Sequence, residues 1–386
     1  MEVEIGMGKS GRRAYGLDDI AIVPSRRTRD PEDIDISWQL GPYRPELPFL
    51  ASAMDGVVSP ESAIAVGKLG GIGVLNLEGI QTRYDDPDPI LEKIASLPKN
   101  KATRGIQEVY QEPIKPELIE KRVAQIKESG VLTAASLTPN RVEHYYKIAM
   151  GAGLDILVIQ GTVISAEHLS SKTEPLDLYK FIADLELPVI VGGCASYHTA
   201  LHLMRTGAVG VLIGVGPGHA CTTRGVLGIG VPQATALADA AAARARLMEE
   251  TGRYVNVIAD GGIRTGGDIA KCVACGADAV MIGAPIARSF EAPGRGFHWG
   301  MATFHPELPR GTRVEVGQAA PLEEIIKGPA HENDGTMNLF GGLRMSMATC
   351  GYRTLKEFQR AEVMVAPALQ TEGKIMQRSQ EVGMGK

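Results

Sequence analysis

The stretch GVGPGHACTTRGVLGIG (214–230) sets a single cysteine, Cys221, among six glycines, with Thr222, Thr223 and Arg224 directly after it. A thiol attacks as its thiolate, and a neighbouring cation together with free backbone amides favours that form. The residues alone leave two readings open. Cys221 is a nucleophile on a loop built for close backbone approach, or it is a small thiol buried for packing, since free cysteine is among the most buried residue types. Thr222 and Thr223 either orient a water or cap the turn.

Two more glycine-rich stretches, DGGIRTGGD (260–268) and IGAPIA (282–287), could hold a phosphate on backbone amides, or could simply be tight strand-to-helix turns. Asp260 could accept hydrogen bonds from vicinal sugar hydroxyls. Of the eight histidines, His219 in the glycine loop and His298 before Trp299 and Gly300 sit where a ligand would lie. Other motifs fade. Gly8-Lys9-Ser10 resembles the end of a phosphate loop, but Val3 stands where that motif needs glycine and no strand precedes it, so a flexible terminus is expected. Cys272 and Cys275 form a CxxC without a second pair or a histidine cluster, which points to helix packing rather than metal.

The elements that must position these groups can be counted. Eight short apolar runs recur at 48–55, 70–76, 131–137, 155–161, 187–193, 210–216, 255–262 and 279–285. Helical stretches at 60–69, 116–129, 142–152, 176–185, 197–206, 234–251 and 268–275 separate them, most ending at a glycine (70, 130, 151, 207, 252, 276). Eight buried strands alternating with helices predict an α/β fold, a (β/α)8 TIM barrel forming one catalytic domain over 1–386, with a doubly wound sheet as the alternative. Its chemistry would lie at the C-terminal strand ends, where the cysteine loop follows the sixth strand and the two phosphate candidates the seventh and eighth. Two segments break the repeat. Residues 77–130 read as a helix plus a connection rich in proline and charge, and 300–341, after the eighth strand, as a mobile lid over the site.

Composition narrows the class. The chain has 386 residues, 44% hydrophobic, with a net charge of −5 and 46 glycines. A large core is available, and neither nucleic acid nor a membrane surface is an expected partner. Five scattered cysteines and an N-terminus without an apolar core point to a reducing cytoplasm.

GVGPGHACTTR, VIADGGIRTGGDIAKCVACGADAVMIGAPIA, FLASAMDGVVSPESAIAVGKLGGIGVLN, YGLDDIAIVPS and GGLRMSMATCGYRTLKEF together resemble the IMP dehydrogenase and GMP reductase superfamily over nearly the whole chain. The resemblance implies a barrel, usually tetrameric, in which Cys221 attacks C2 of a purine nucleotide and a hydride passes to or from a nicotinamide. It implies that Thr223 activates or positions water and that Asp260 holds the ribose. It places Ser52 and Met54 in the nucleotide pocket, Gly218, Gly262 and Gly283 around the phosphate, and Gly300 and Met301 at the base. A monovalent cation, potassium, would rest on carbonyls of Gly216, Gly218 and Cys221. The family's aspartate facing the nicotinamide is Gln160 here, an asparagine becomes Cys194, and serines on the phosphate side become His219 and Ala284. The 77–130 segment is too short for the regulatory CBS modules. The water-activating Arg-Tyr pair of the dehydrogenases is missing, leaving Arg310, Arg313 and Glu315 as candidates.

ADGGIR, GVPQATAL, EAPG and GGLRMSMATCGYRT match the dehydrogenase, which implies oxidation of IMP to XMP with NAD by a cytoplasmic homotetramer. The Thr-Thr-Arg ending and the short length speak for GMP reductase acting with NADPH. A non-catalytic purine-nucleotide regulator and a flavin-dependent barrel remain as other classes.

Overall fold

The structure, a computed structural model, describes residues 2–165, 167–168, 175–300, 312–366 and 373–385. The chain opens with a hairpin, β1 (Glu2–Gly6) and β2 (Lys9–Arg12), that turns through Gly8. Lys9 and Ser10 therefore lie in a paired strand, not in the flexible terminus expected. A short strand β3 (Ile20–Ile22) follows.

The eight apolar runs all become barrel strands: β4 (Phe49–Ala51), β5 (Ile72–Asn76), β6 (Ala134–Leu137), β7 (Ile156–Gln160), β8 (Val189–Cys194), β9 (Gly210–Ile213), β10 (Asn256–Asp260) and β11 (Ala279–Ile282). Every neighbouring pair is parallel, and β11 closes the ring onto β4 through Val280–Phe49, Met281–Leu50 and Ile282–Ala51. The doubly wound alternative is excluded by that closure. Both faces of each strand are covered, so Ile156, Leu157, Val158 and Ile159 are all fully buried, which is why these strands read as continuous rather than alternating apolar runs.

Helices α1 (Pro60–Lys68), α4 (Pro116–Glu128), α5 (Val142–Gly151), α6 (Leu178–Ala183), α7 (Tyr197–Arg205), α9 (Gln233–Thr251) and α10 (Gly266–Ala274) occupy the expected places. Ser59, Ser196 and Thr265 cap α1, α7 and α10 by accepting from backbone amides of the first turn. One cap differs from expectation. Gly151 is the last residue of α5, and the left-handed turn falls on Gly153 (φ +95°), two residues on.

The segment after β5 is more ordered than its composition suggests. Besides α4 it holds α2 (Asp88–Ser96) and α3 (Ala102–Val109). Their Leu91, Ile94, Ile106 and Val109 form a second hydrophobic core with Ile80 and Trp299, separate from the barrel core. Trp299 comes from β12 (Phe297–Trp299), which pairs antiparallel with β13 (Arg313–Glu315). Within the segment expected as a lid, residues 301–311 lie outside the described residues. The remainder is anchored: β13 is paired, and α12 (Leu322–Ile326) buries Leu322, Ile325 and Ile326.

The barrel's flank then carries α13 (Leu339–Thr349), α14 (Leu355–Phe358) and β14 (Val363–Val365), the last pairing with β3, and a short helix over Ile375–Ser379 follows. No helix among the described residues is long and apolar enough to cross a membrane.

Candidate active site at the barrel mouth

The loop leaving β9 is pressed onto the end of β10. Gly214 donates its N–H to the Cys194 carbonyl (2.8 Å), and a Cβ on Gly214 would lie 2.0 Å from the Asp260 carbonyl oxygen, so no larger residue fits. Further along, Pro217 and Gly218 lie against Gly261 and Gly262. The cysteine loop and the first phosphate candidate thus share one wall.

On this loop the Cys221 amide donates to the Gly218 carbonyl (3.0 Å), and the exposed Cys221 Sγ lies 3.0 Å from Thr223 Oγ1. Thr223 is fully buried at the start of the short helix α8 (Thr223–Val226), so its hydroxyl is a fixed point against which the thiol is set. Thr222 Oγ1 is buried and has no partner. Arg224 crosses the loop, donating from Nη2 to the Val231 carbonyl (2.9 Å).

Asp260 ends β10, where Gln160, ending β7, donates from Nε2 to its carboxylate (3.3 Å) and faces Met281 Sδ (3.7 Å). Burial pushes the Asp260 carboxyl up to about 7, with the Gln160 bond working the other way. Asp278, at the opposite end of the barrel, is a useful contrast. It is buried too, yet receives hydrogen bonds from Arg244, Lys356, Tyr254, Gln359 and the Val257 amide. Burial alone would raise its pKa, but Arg244 and Lys356 hold it below the usual carboxylate range. The buried acid at the bottom is saturated with donors; the one at the mouth has room for more.

Ser52 and Met54 follow β4 and face the second phosphate candidate, since a Cβ on Gly283 would sit 3.2 Å from Met54 Sδ and 3.4 Å from Ser52 Oγ. His219 lies with its ring centre 6.4 Å from that of His298. His298 is 2% exposed, and neither ring nitrogen has a partner. Burial, reinforced by His219, lowers its pKa to about 4. Burial and the Arg264 charge lower His219 as well.

The structure therefore brings together Cys221 with Thr223, Gly218 with Gly261, Pro217 with Gly262, Ser52 and Met54 with Gly283, and Gln160 with Asp260, and it sets His219 beside His298. Gly300 directly follows β12, and Met301 and Arg310 lie outside the described residues. The returning chain is tied to the cysteine loop by the Thr312 amide, which donates to the Ala220 carbonyl (3.1 Å).

Of the expected catalytic candidates, Arg313 is occupied elsewhere and Glu315 is not brought to the thiol. Arg313 donates to the carbonyls of Ile94, Ala95 (3.1 Å) and Leu97 (2.7 Å) at the end of α2 and stacks over Phe297. That is a structural use of its five donors. Glu315 is exposed at the end of β13, opposite Phe297. Sequence reasoning missed Asp55, which is fully buried and accepts from the Ile80 amide (2.8 Å) and from Tyr110, itself an acceptor for Trp299 Nε1 (2.9 Å). Its position directly after Met54 was the one available signal. Cys272 is fully buried in α10, and Cys275, partly buried, has its thiol pushed up to about 11 by burial.

These two titrating groups, Asp260 and His298, predict opposite pH effects. Asp260 binds its proton more tightly folded (about 7) than unfolded (3.8), so its contribution to stability falls as pH rises from about 4 to 7. His298 binds its proton less tightly folded (about 4) than unfolded (6.5), so its contribution is lost as pH falls over that range. Each slope is about 1.4 kcal/mol per pH unit, and the two cancel between pH 4.5 and 6.5. Relative to wild type, Asp260→Asn should gain stability with rising pH there and His298→Gln should lose it. Denaturant midpoints at four pH values check this, and parallel profiles for all three proteins would refute it.

The sequence profile of the IMP dehydrogenase / GMP reductase domain matches residues 14–375. An uncharacterized oxidoreductase of Mycobacterium tuberculosis (strain ATCC 25618 / H37Rv) is 50% identical over 372 residues, covering 94% of this chain and 99% of that protein. The inosine-5'-monophosphate dehydrogenase of Methanocaldococcus jannaschii is 27% identical, covering 94% of each. The crystal structure of an IMP dehydrogenase/GMP reductase-like protein from Corynebacterium glutamicum ATCC 13032 Kitasato superposes with a TM-score of 0.90 at 45% identity, covering 94% of this chain and 97% of that one. A closed eight-stranded barrel, a cysteine loop walled by glycine turns and a match over almost the full length agree, and the chain belongs to the IMP dehydrogenase / GMP reductase family.

Proposed function

We propose that the protein oxidises IMP to XMP with NAD, through a covalent adduct between Cys221 and C2 of the purine. The observation that carries this reading is the 3.0 Å contact between an exposed thiol and a buried, fixed threonine hydroxyl, on a loop that shares a wall with the Asp260–Gly262 turn. Thr223 Oγ1 can accept the thiol hydrogen or donate to the thiolate, steadying the nucleophile before attack. Asp260, with acceptor capacity to spare, takes hydrogen bonds from the ribose hydroxyls, and Gln160 holds it in place. Amides of Gly262 and Gly283 lie where glycines let a phosphate approach closely. The nicotinamide, when bound, supplies the hydride acceptor. Gln160, a neutral amide half-buried beside Asp260, fits the uncharged edge of such a ring. Family members at low identity named as IMP dehydrogenases support this direction.

One observation favours a second reading, reductive deamination of GMP with NADPH. Hydrolysing the adduct needs a base beside Cys221, and among the described residues Arg313 is bound to α2 while Glu315 faces outward. Reduction with loss of ammonia needs no water. The purified protein should form NADH from NAD when IMP is supplied. Turnover of GMP with NADPH alone would establish the second reading instead, and reaction with neither pair would favour a nucleotide-binding regulator.

A further inference from the structure

Phe297 and Trp299 pack into the second core, so His298, between them on β12, projects from the opposite face of the strand, toward the cysteine loop. There its ring meets that of His219, with 6.4 Å between the ring centres, and among the described residues neither nitrogen of His298 has a partner. Burial keeps this imidazole neutral at pH 7. A neutral imidazole has one N–H to donate, and at 2% exposure water reaches it poorly. The ring is thus a buried donor without an acceptor.

Its surroundings indicate what the acceptor is. A Cβ on Gly56 would lie 2.9 Å from the His298 Cα, so the strand abuts the loop after β4, whose Ser52 and Met54 face Gly283. On the other side, His219 follows Gly218, which packs on Gly261. Gly261 and Gly262 both take left-handed backbone (φ +81° and +77°), which leaves the turn open to close approach. Arg264 brings a positive charge near His219, although Asp18 (3.2 Å) and Asp268 (3.7 Å) share it. His298 therefore bridges the two loops that lead to the phosphate candidates, with its free N–H on the side where they meet.

We infer that His298 donates its N–H to the 5'-phosphate of the bound nucleotide, with His219 donating from the cysteine loop, so that this pair selects a nucleoside monophosphate over the bare nucleoside. The inference rests on the reading of the mouth as a purine-nucleotide site. A tetrahedral anion can span two rings set 6.4 Å apart, giving an oxygen to each. The bond to His298 forms out of water, where a hydrogen bond to a charged group is strongest.

Calorimetric titration with IMP and with inosine at millimolar concentration tests this, because the two ligands differ only in the phosphate. His298→Phe fills the space without nitrogens and should weaken IMP about 30-fold and inosine less than about twofold, the loss expected for one hydrogen bond to a charged group. His219→Ala should show the same pattern at about tenfold, since its ring is more exposed. His298→Gln keeps an N–H and should lie between wild type and His298→Phe, which keeps the test open if the phenylalanine variant does not fold. Equal losses for IMP and inosine would show that His298 only shapes the pocket, and unchanged IMP affinity would show that it touches no phosphate; either result overturns the inference. Inorganic phosphate separates this claim from the nucleotide reading: it should raise the melting temperature of wild type and not of His298→Phe. If neither IMP nor GMP binds while that protection still depends on His298, the nucleotide reading falls and the anion site stands. If IMP binds and the loss in His298→Phe is the same with and without the phosphate, the inference falls and the nucleotide reading stands.

Discussion

Cys221→Ala is expected to reduce turnover by about 10^4-fold or more while leaving the fold intact. The size follows from the role. A covalent nucleophile splits a difficult step into two easier ones, and neither Thr223 nor any described neighbour offers a replacement of comparable nucleophilicity. The fold should tolerate the change because the thiol is exposed and its side chain's one hydrogen bond among the described residues is with Thr223. Thr223→Ala should be a milder loss, on the order of 10^2-fold, because the thiol remains and only its fixed partner is removed. Nucleotide affinity measured by calorimetry provides the control. It should change little in Cys221→Ala, since Asp260 and the glycine turns are untouched, and an equal loss of affinity and turnover would mean that Cys221 only shapes the pocket. Full activity in the alanine variant would end the covalent mechanism.

How far the sequence discloses all this depends on the distance over which each residue finds its partners. The barrel strands are legible because burial on both faces forces runs such as ILVI at 156–159, and because each run stops at a residue the mouth requires, Gln160 or Asp260 among them. The cysteine loop is legible for a similar reason, since its glycines and its polar residues are neighbours in the chain. Helices α2 and α3 are not. Pro87, Pro89 and the lysines at 99 and 101 read as a connection, and the apolar faces of Leu91, Ile94, Ile106 and Val109 are narrow because they cover a small core completed by Trp299, some two hundred positions away. Arg313 shows the same limit. An arginine in a glycine-rich segment after the eighth strand suits catalysis and helix capping equally well, and only the return of β13 toward the end of α2 decides for the carbonyls. The unpartnered nitrogens of His298 are likewise a product of tertiary packing.

The second core leads to the other large effect. Trp299 fills it and donates to Tyr110, which bonds Asp55 on the loop that carries Met54, so the indole links the insertion, the strand entering the 301–311 stretch and the barrel mouth. Trp299→Ala removes the largest side chain of a small cluster and leaves a cavity, a change worth about 3–5 kcal/mol. Because this cluster is separate from the barrel core, the loss should appear locally. Amides of α2, α3 and the β12–β13 ladder should exchange hydrogen about 100-fold faster or more, while β7 and β10 keep their protection. Turnover should fall with them, since Gly300 follows Trp299 directly and Asp55 loses the order of its Tyr110 partner. Arg313→Ala, which cuts only the tie between β13 and α2, should loosen the same elements to a smaller degree. Equal acceleration of exchange in the barrel strands and in α2 would show that the two cores unfold as one unit, and the link from the insertion to the site would then have to be carried by the barrel itself.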